Sequence, residues 1–364
     1  MSSRRYFFDA RHLDASGIGS YTADVLRALT AAREFDGSEW TIAVHPSAVR
    51  RLSLQLPTVK FLSSRAGMYG PAEQLLFAHP AITKAESVFL PHYPVPVRPV
   101  DGRLVVTVHD VLHALPEKLG GPSPLRRTYA HAMFSLLARR ADQILTVSEF
   151  TAEQLIQIQP SLRGRVTVIS HGIDEWWFDP LTQATPDLPS SKPFFIYVGN
   201  VKPHKNLQRL IEAIAGVPEG VDLYIVGGNA VAKNFDVVAL RAIERSDRVF
   251  LLGRVGRDDL KYYLSKALAL VMPSLYEGLG LPPLEAMAVG TPVAVSSIPA
   301  LQETCAQAAV YFDPRDVGDI RRVLNDLLTQ PTLRDELRRL GKARARARTS
   351  RSSAQVVVAS IFQS

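Results

Sequence analysis

Glu277 and Glu285 stand eight positions apart and bracket Gly278-Leu279-Gly280-Leu281-Pro282-Pro283-Leu284. That combination of residue types can do specific chemistry. A carboxylate accepts hydrogen bonds from sugar hydroxyls, and the glycines let backbone amides approach a ligand closely. The preceding run, Ala267 to Ser274, reads as a buried strand, and Leu284-Glu285-Ala286-Met287-Ala288 reads as a helix. The prolines fall in the first turn of that helix, where a missing N–H costs little. Glu277 therefore belongs on a loop at the carboxyl end of a strand. A helix N-terminus behind a Gly-rich loop suits an anion, and Glu285, one turn further on, can reach the same crevice to hold a ribose. Together these groups describe a nucleotide-sugar pocket. The plain alternative is a strand–turn–helix junction with two solvated glutamates.

Three other strand ends carry chemistry. After Phe194–Val198 comes Gly199-Asn200-Val201-Lys202-Pro203-His204-Lys205-Asn206-Leu207. A lysine at a helix start opposes the helix dipole, so Lys205 points to a bound phosphate. After Leu104–Val108 come His109 and Asp110, well placed for a polar site, although a satisfied core histidine is a competing reading. Near the start, Asp14-Ala15-Ser16-Gly17-Ile18-Gly19-Ser20-Tyr21-Thr22 opens a helix. Gly17 and Gly19 match two glycines of a dinucleotide fingerprint, but Thr22 stands at the third and no acidic partner follows at a strand end. The loop suits a diphosphate or acceptor better than a nicotinamide, or is a tight turn. The sequence has no P-loop, zinc-protease helix, nucleophile elbow or Asp-x-Asp. The last absence argues against a metal-chelating nucleotide-sugar enzyme. Eight of the nine histidines lie in the first half, and no pair has the spacing of a helical zinc site.

These residues must be held by strands alternating with helices. At 364 residues the chain is comfortable for two domains. Strand-like runs at Tyr6–Phe8, Thr41–Val44, Ser87–Leu90, Leu104–Val108, Gln143–Val147 and Val166–Ile169 come first. A proline-rich stretch from Trp176 to Pro193 follows and reads as a linker. The rhythm then restarts with Phe194–Val198, Leu223–Val226, Val249–Leu252, Leu268–Met272 and Pro292–Val295. Apolar strands separated by helices imply parallel sheets covered on both faces. The expected class is α/β, with two tandem Rossmann-like doubly wound domains. Residues 1–180 form the first, 181–345 the second, and 346–364 a helix returning to the first.

Composition is that of a globular protein, 46% hydrophobic and 21% charged. No apolar run reaches the ~18 residues that cross a bilayer, and the start has no secretory pattern. Cys305 is the single cysteine, which excludes an intrachain disulfide. The expectation is a cytoplasmic protein. Its +7 charge is concentrated between Arg334 and Arg351. This stretch reads as a helix whose basic face is either solvated or turned toward an anionic surface, with a membrane favoured over nucleic acid.

With those motifs in hand, the chain resembles the retaining glycosyltransferases of family 4, which have the GT-B architecture of two domains facing a cleft. The run from Pro273 to Val293 is close to that family's Glu-x7-Glu signature. Asp14–Gly19, Val108-His109-Asp110, Thr146–Phe150, Pro203–Leu207 and Ala308–Pro314 support it. The resemblance implies that Glu277 holds hydroxyls of the donor sugar, with amides of Gly278, Leu279, Gly280 and Leu281 around sugar and diphosphate. It gives Glu285 to the ribose, Lys205 to the leaving diphosphate, and Gly17 and Gly19 to the phosphate side of the cleft. His109 would lie near the anomeric carbon, with Asp110 and Ser148 on the acceptor side. Many members have an arginine after the strand glycine and another before the lysine, where this chain has Asn200 and His204. Lys202, or Arg254 after the third strand of the second domain, is left to supply the missing charge, with Gly199 also on the donor side.

The implied reaction moves a mannose or rhamnose-like sugar from a nucleoside diphosphate, a GDP-linked donor by preference. The acceptor is a hydroxyl of a glycan or polyprenyl-linked glycan in surface polysaccharide assembly. No metal or other cofactor is implied. Leu125-Arg126-Arg127 and Arg139-Arg140 could rest on a membrane surface. The rival readings are a catalytically silent nucleotide-sugar-binding subunit and another GT-B enzyme, such as an epimerase or phosphorylase. A nucleic-acid binder is more distant.

Overall fold

In a computed structural model, residues 4–13, 17–116, 123–181, 186–228 and 236–363 are described. The chain forms two compact units. The first takes the residues up to His171 together with the C-terminal segment from Ser350, and the second runs from Gly172 to Thr349. The division falls ahead of the 180/181 boundary because Ile173 already pairs with Thr349 by backbone.

The first unit holds seven strands: β1 (Arg5–Ala10), β2 (Glu39–Val44), β3 (Lys60–Ser63), β4 (Ser87–Leu90), β5 (Arg103–Val108), β6 (Gln143–Thr146) and β7 (Val166–Val168). They pair in the order β3-β2-β1-β4-β5-β6-β7, every pair parallel. The central strands read as continuous apolar runs because helices cover both faces, and Phe7, Phe8, Val105 and Val106 are fully buried. The C-terminal helix Ser350–Phe362 packs on the helix Ile18–Thr30. Phe362 sets its ring edge against Tyr6 and Trp40, and Ser353 Oγ lies 2.9 Å from His171 Nδ1.

The second unit has six strands: β8 (Phe194–Val198), β9 (Asp222–Val226), β10 (Val249–Gly253), β11 (Ala269–Met272), β12 (Val293–Ser296) and β13 (Val310–Phe312). Their order is β10-β9-β8-β11-β12-β13, again all parallel. Alternate residues feed two cores. Phe195, Tyr197, Leu223, Ile225 and Val271 pack on one face, and Phe194, Ile196, Tyr224, Val226 and Met272 on the other. The α/β, doubly wound architecture expected for both halves is what the sheets show. In such sheets ligands bind outside the carboxyl ends of the strands, where the strand order reverses. That point lies between β8 and β11 here, and between β1 and β4 in the first unit.

Candidate active site

The switch point of the second unit brings two of the sequence candidates together. β8 ends at Val198, and after Gly199 the chain makes a short 3-10 turn, Pro203–Lys205, before the helix Leu207–Ala215. β11 ends at Met272 and leads through Pro273 to Glu277. Lys205 Nζ donates to both carboxylate oxygens of Glu277, at 2.7 and 2.9 Å. The two side chains are 15% and 11% exposed, so the pair is largely shielded yet still reachable by a ligand.

The loop around this pair is fixed by bonds the sequence did not announce. Asn206 takes the left-handed conformation, φ 59°, at the start of the helix. Its amide donates to the carbonyls of Pro273 (2.9 Å) and Pro314 (2.7 Å), tying the β11 loop to the β13 loop. Leu275 N donates to His204 O at 2.8 Å. Tyr197, fully buried, gives its hydroxyl to Asn200 O at 2.9 Å. Burial, with Glu277 nearby, pushes its phenol well above the ordinary range.

The other donor-side candidates line the same edge. Leu279 is buried, and its carbonyl accepts from Thr304 Oγ1 at 2.6 Å. Gly280, at φ 88°, precedes the helix Leu281–Val289. A Cβ there would sit 2.6 Å from Leu301 Cδ2, so only glycine fits without strain. Gly278 and Glu285 are half-buried, Glu285 in the second turn of that helix. Lys202 and Arg254 are exposed on the loops after β8 and β10. The basic C-terminal stretch is not one solvated face. Arg344 turns inward, donating to the carbonyls of Thr304 (2.9 Å) and Glu303 (2.6 Å) at the end of the helix Pro299–Cys305. A cation there complements the helix dipole.

In the first unit, Gly17 (φ 51°) precedes the helix Ile18–Thr30. Gly19 lies so close to the chain before it that a Cβ would meet His12 O and Leu13 O at 2.8 and 2.7 Å. Asp14, Ala15 and Ser16 of this loop lie outside the described residues. His109 follows β5, its Nε2 is 2.9 Å from Pro91 O, and Tyr21 packs edge-on against its ring. Burial lowers its pKa to about 4, which keeps the ring neutral. Asp110 Oδ1 accepts from Leu112 N at 2.9 Å. Ser148 is fully buried, and its hydroxyl caps the helix Glu149–Ile158.

With this geometry established, comparison with known proteins finds a glycosyltransferase family model similar to each half. Residues 15–176 match the model for Glycosyltransferase Family 4, and residues 180–344 that for Glycosyl transferases group 1. Salmonella typhimurium O-antigen chain mannosyltransferase RfbU is 31% identical over 215 residues, 58% of this chain and 57% of its own. Escherichia coli O-antigen chain mannosyltransferase B is 28% identical over 91% of this chain and 92% of its own. An E. coli serotype-specific mannosyltransferase WbdA aligns over 33% of its length, so the matches to RfbU and WbdA span about half and a third of those proteins. Among solved structures, Anabaena HepE in complex with UDP-glucose superposes with TM-score 0.76 at 17% identity, covering 98% of each chain. WaaG, a glycosyltransferase involved in lipopolysaccharide biosynthesis, gives TM-score 0.74 at 16% identity, covering 99% of this chain and 100% of its own. Each half thus resembles a glycosyltransferase family model, and the fold is the two-domain, doubly wound one of these solved structures.

Proposed function

We propose that this chain is a retaining glycosyltransferase. It moves mannose or a rhamnose-like sugar from a nucleoside diphosphate, GDP by preference, to a hydroxyl of a glycan or polyprenyl-linked glycan. The observation that carries this reading is the Lys205–Glu277 pair at the β8/β11 switch point, beside the helix that begins at Leu281. A carboxylate for sugar hydroxyls, an ammonium and backbone amides for a diphosphate, and Glu285 for a ribose form a coherent donor pocket.

The reaction must stabilise positive charge on the sugar ring and negative charge on the departing diphosphate. Lys205 and the amides from Gly278 to Leu281 serve the second need, the electrostatic contribution that usually dominates, with no metal required there. In this reading the bond from the anomeric carbon to the diphosphate oxygen breaks on the face where the acceptor oxygen attacks. The new glycosidic bond forms there, and the acceptor's proton passes to the leaving phosphate. His109, held neutral, positions the sugar, and Asp110 serves the acceptor side. Exposed Leu75, Val97 and Leu125, with Arg126 next to Leu125 in sequence and Arg140 Nη2 donating to Val97 O at 3.3 Å, support peripheral docking on an anionic membrane.

The test is turnover of GDP-, UDP-, dTDP- and ADP-sugars with a polyprenyl-diphosphate-linked glycan, with the product anomer read by NMR. The proposal expects stoichiometric nucleotide release and a retained anomeric configuration. An inverted product, or no transfer from any donor, overturns it.

A further inference from the structure

The switch point of the first unit holds a second polar cluster, independent of the transferase reading. Asp9 lies near the end of β1, Arg11 and His12 follow it, and His92 follows β4. Glu73 comes from the helix Pro71–Phe77. Arg11 grips Asp9 with two bonds, Nε to Oδ1 at 2.9 Å and Nη2 to Oδ2 at 2.7 Å. Its Nη2 also donates to Glu73 Oε1 at 2.9 Å, and its Nη1 to Ala66 O at 2.8 Å. Glu73 Oε2 accepts from Tyr69 N at 2.9 Å, while Oε1 lies 2.7 Å from His92 Nε2. Asp9 and Glu73 are fully buried, His92 is 1% exposed and Arg11 4%.

This network does not close on itself. Two carboxylates against one guanidinium leave a net charge of about −1 in a buried site, which is costly. His92 Nδ1 is buried and has no hydrogen-bond partner among the described residues. His12 Nε2 is likewise buried without a partner among the described residues. The two imidazoles stand edge to face with ring centroids 5.5 Å apart. Two imidazoles sharing one tetrahedral ion, at ~2.0–2.1 Å per bond, have centroids about 5 Å apart.

We infer that His12, His92 and Glu73 form a site for a divalent transition metal of the zinc class. His12 Nε2 and His92 Nδ1 are the direct ligands, and Glu73 accepts the proton on His92 Nε2 from behind. That is the carboxylate–histidine–metal arrangement that orients a ligating imidazole. One potential ligand atom from each of the three residues falls within a 4.8 Å group. One ion satisfies both orphaned nitrogens and offsets the buried negative charge. Arg11 does not prevent it, because Asp9 already matches that guanidinium in a two-point pair. Imidazole ligands suit zinc, copper, iron or nickel rather than magnesium or calcium. Water completes the coordination.

The experiment uses the full-length protein, stripped with a chelator, dialysed metal-free and titrated with Zn²⁺ by calorimetry. Visible absorption of the Co²⁺-loaded form reports the ligand field. One ion per chain is expected, with at least a tenfold affinity loss in His12→Gln. Glu73→Gln should lose about 10- to 100-fold, and His131→Gln should match wild type. His12 is partly exposed, so its variant is the one expected to keep the fold if His92 or Glu73 variants do not, and circular dichroism checks this. No saturable binding in wild type, or unchanged affinity in His12→Gln, overturns the inference and leaves the orphaned nitrogens to bridging water.

Discussion

Replacing Lys205 with Met removes an ammonium that bonds both oxygens of Glu277 at 2.7 and 2.9 Å. In the free protein this leaves a carboxylate that is only 11% exposed. A hydrogen bond to a charged group is worth about 1.5–3 kcal/mol, and breaking a fully buried pair costs about 3–5 kcal/mol. Some solvent reaches this pair, so a loss of about 2 kcal/mol is expected in urea unfolding. Turnover should suffer more. If Lys205 meets charge developing on the leaving diphosphate, kcat/KM should fall by about 10²–10³, or 2.7–4 kcal/mol. A double-mutant cycle separates the two effects. Glu277→Gln combined with Lys205→Met should show a stability coupling of at least about 1 kcal/mol, outside the ~0.3–0.5 kcal/mol scatter of independent sites. The double variant should stay as inactive as Lys205→Met alone. The assay is initial-rate nucleotide release beside urea titration of each variant. Additive stabilities together with a kcat/KM within threefold of wild type would refute the reasoning.

Asn206→Ala removes both amide bonds to Pro273 and Pro314 at a left-handed position. It should cost about 2–4 kcal/mol in chemical denaturation and lower kcat. Gly280→Ala forces a Cβ to 2.6 Å from Leu301 at φ 88°, costing about 1–2 kcal/mol, with donor affinity by calorimetry falling about tenfold. His109 is held neutral down to about pH 4. The unfolded chain takes up its proton near pH 6.5, so stability rises with pH between those values and is lost on acidification. At most about 3 kcal/mol should be lost from His109 by pH 4, and His109→Gln should flatten that part of the stability–pH curve. Arg344→Ala strips two bonds from the end of the helix Pro299–Cys305 and should lower thermal stability by about 1–2 kcal/mol.

Much of the scaffold was legible because parallel strands buried on both faces write themselves as continuous apolar runs. The helix Leu207–Ala215 and the core of each central strand were read in place. β3 was not, since Lys60–Ser63 is an edge strand with both ends exposed and no apolar run. β13 is three residues long, too short to show a period, and was read only as a family match. Lys205 and Glu277 were legible as strand-end residues, yet their direct pairing across 72 positions was not. Nor was the role of Asn206, whose amide spans three loops. The Asp9–Arg11–Glu73–His92 network was invisible for the same reason. A glutamate in a short helix carries no local sign that it meets a histidine and an arginine far away in sequence. The basic C-terminal stretch misled in part, because charge count does not distinguish Arg344, bonded to backbone carbonyls, from its solvated neighbours.

The claim that the β8/β11 switch point of the second unit is a nucleotide-sugar pocket is tested most directly by calorimetric titration of the protein with GDP-mannose, set against GDP, UDP-glucose and free mannose. Saturable 1:1 binding of a nucleoside diphosphate sugar is expected, weakened by Glu285→Ala and by Lys205→Met while both variants remain folded. Absence of binding to any nucleotide sugar, or binding that neither variant alters, would contradict it.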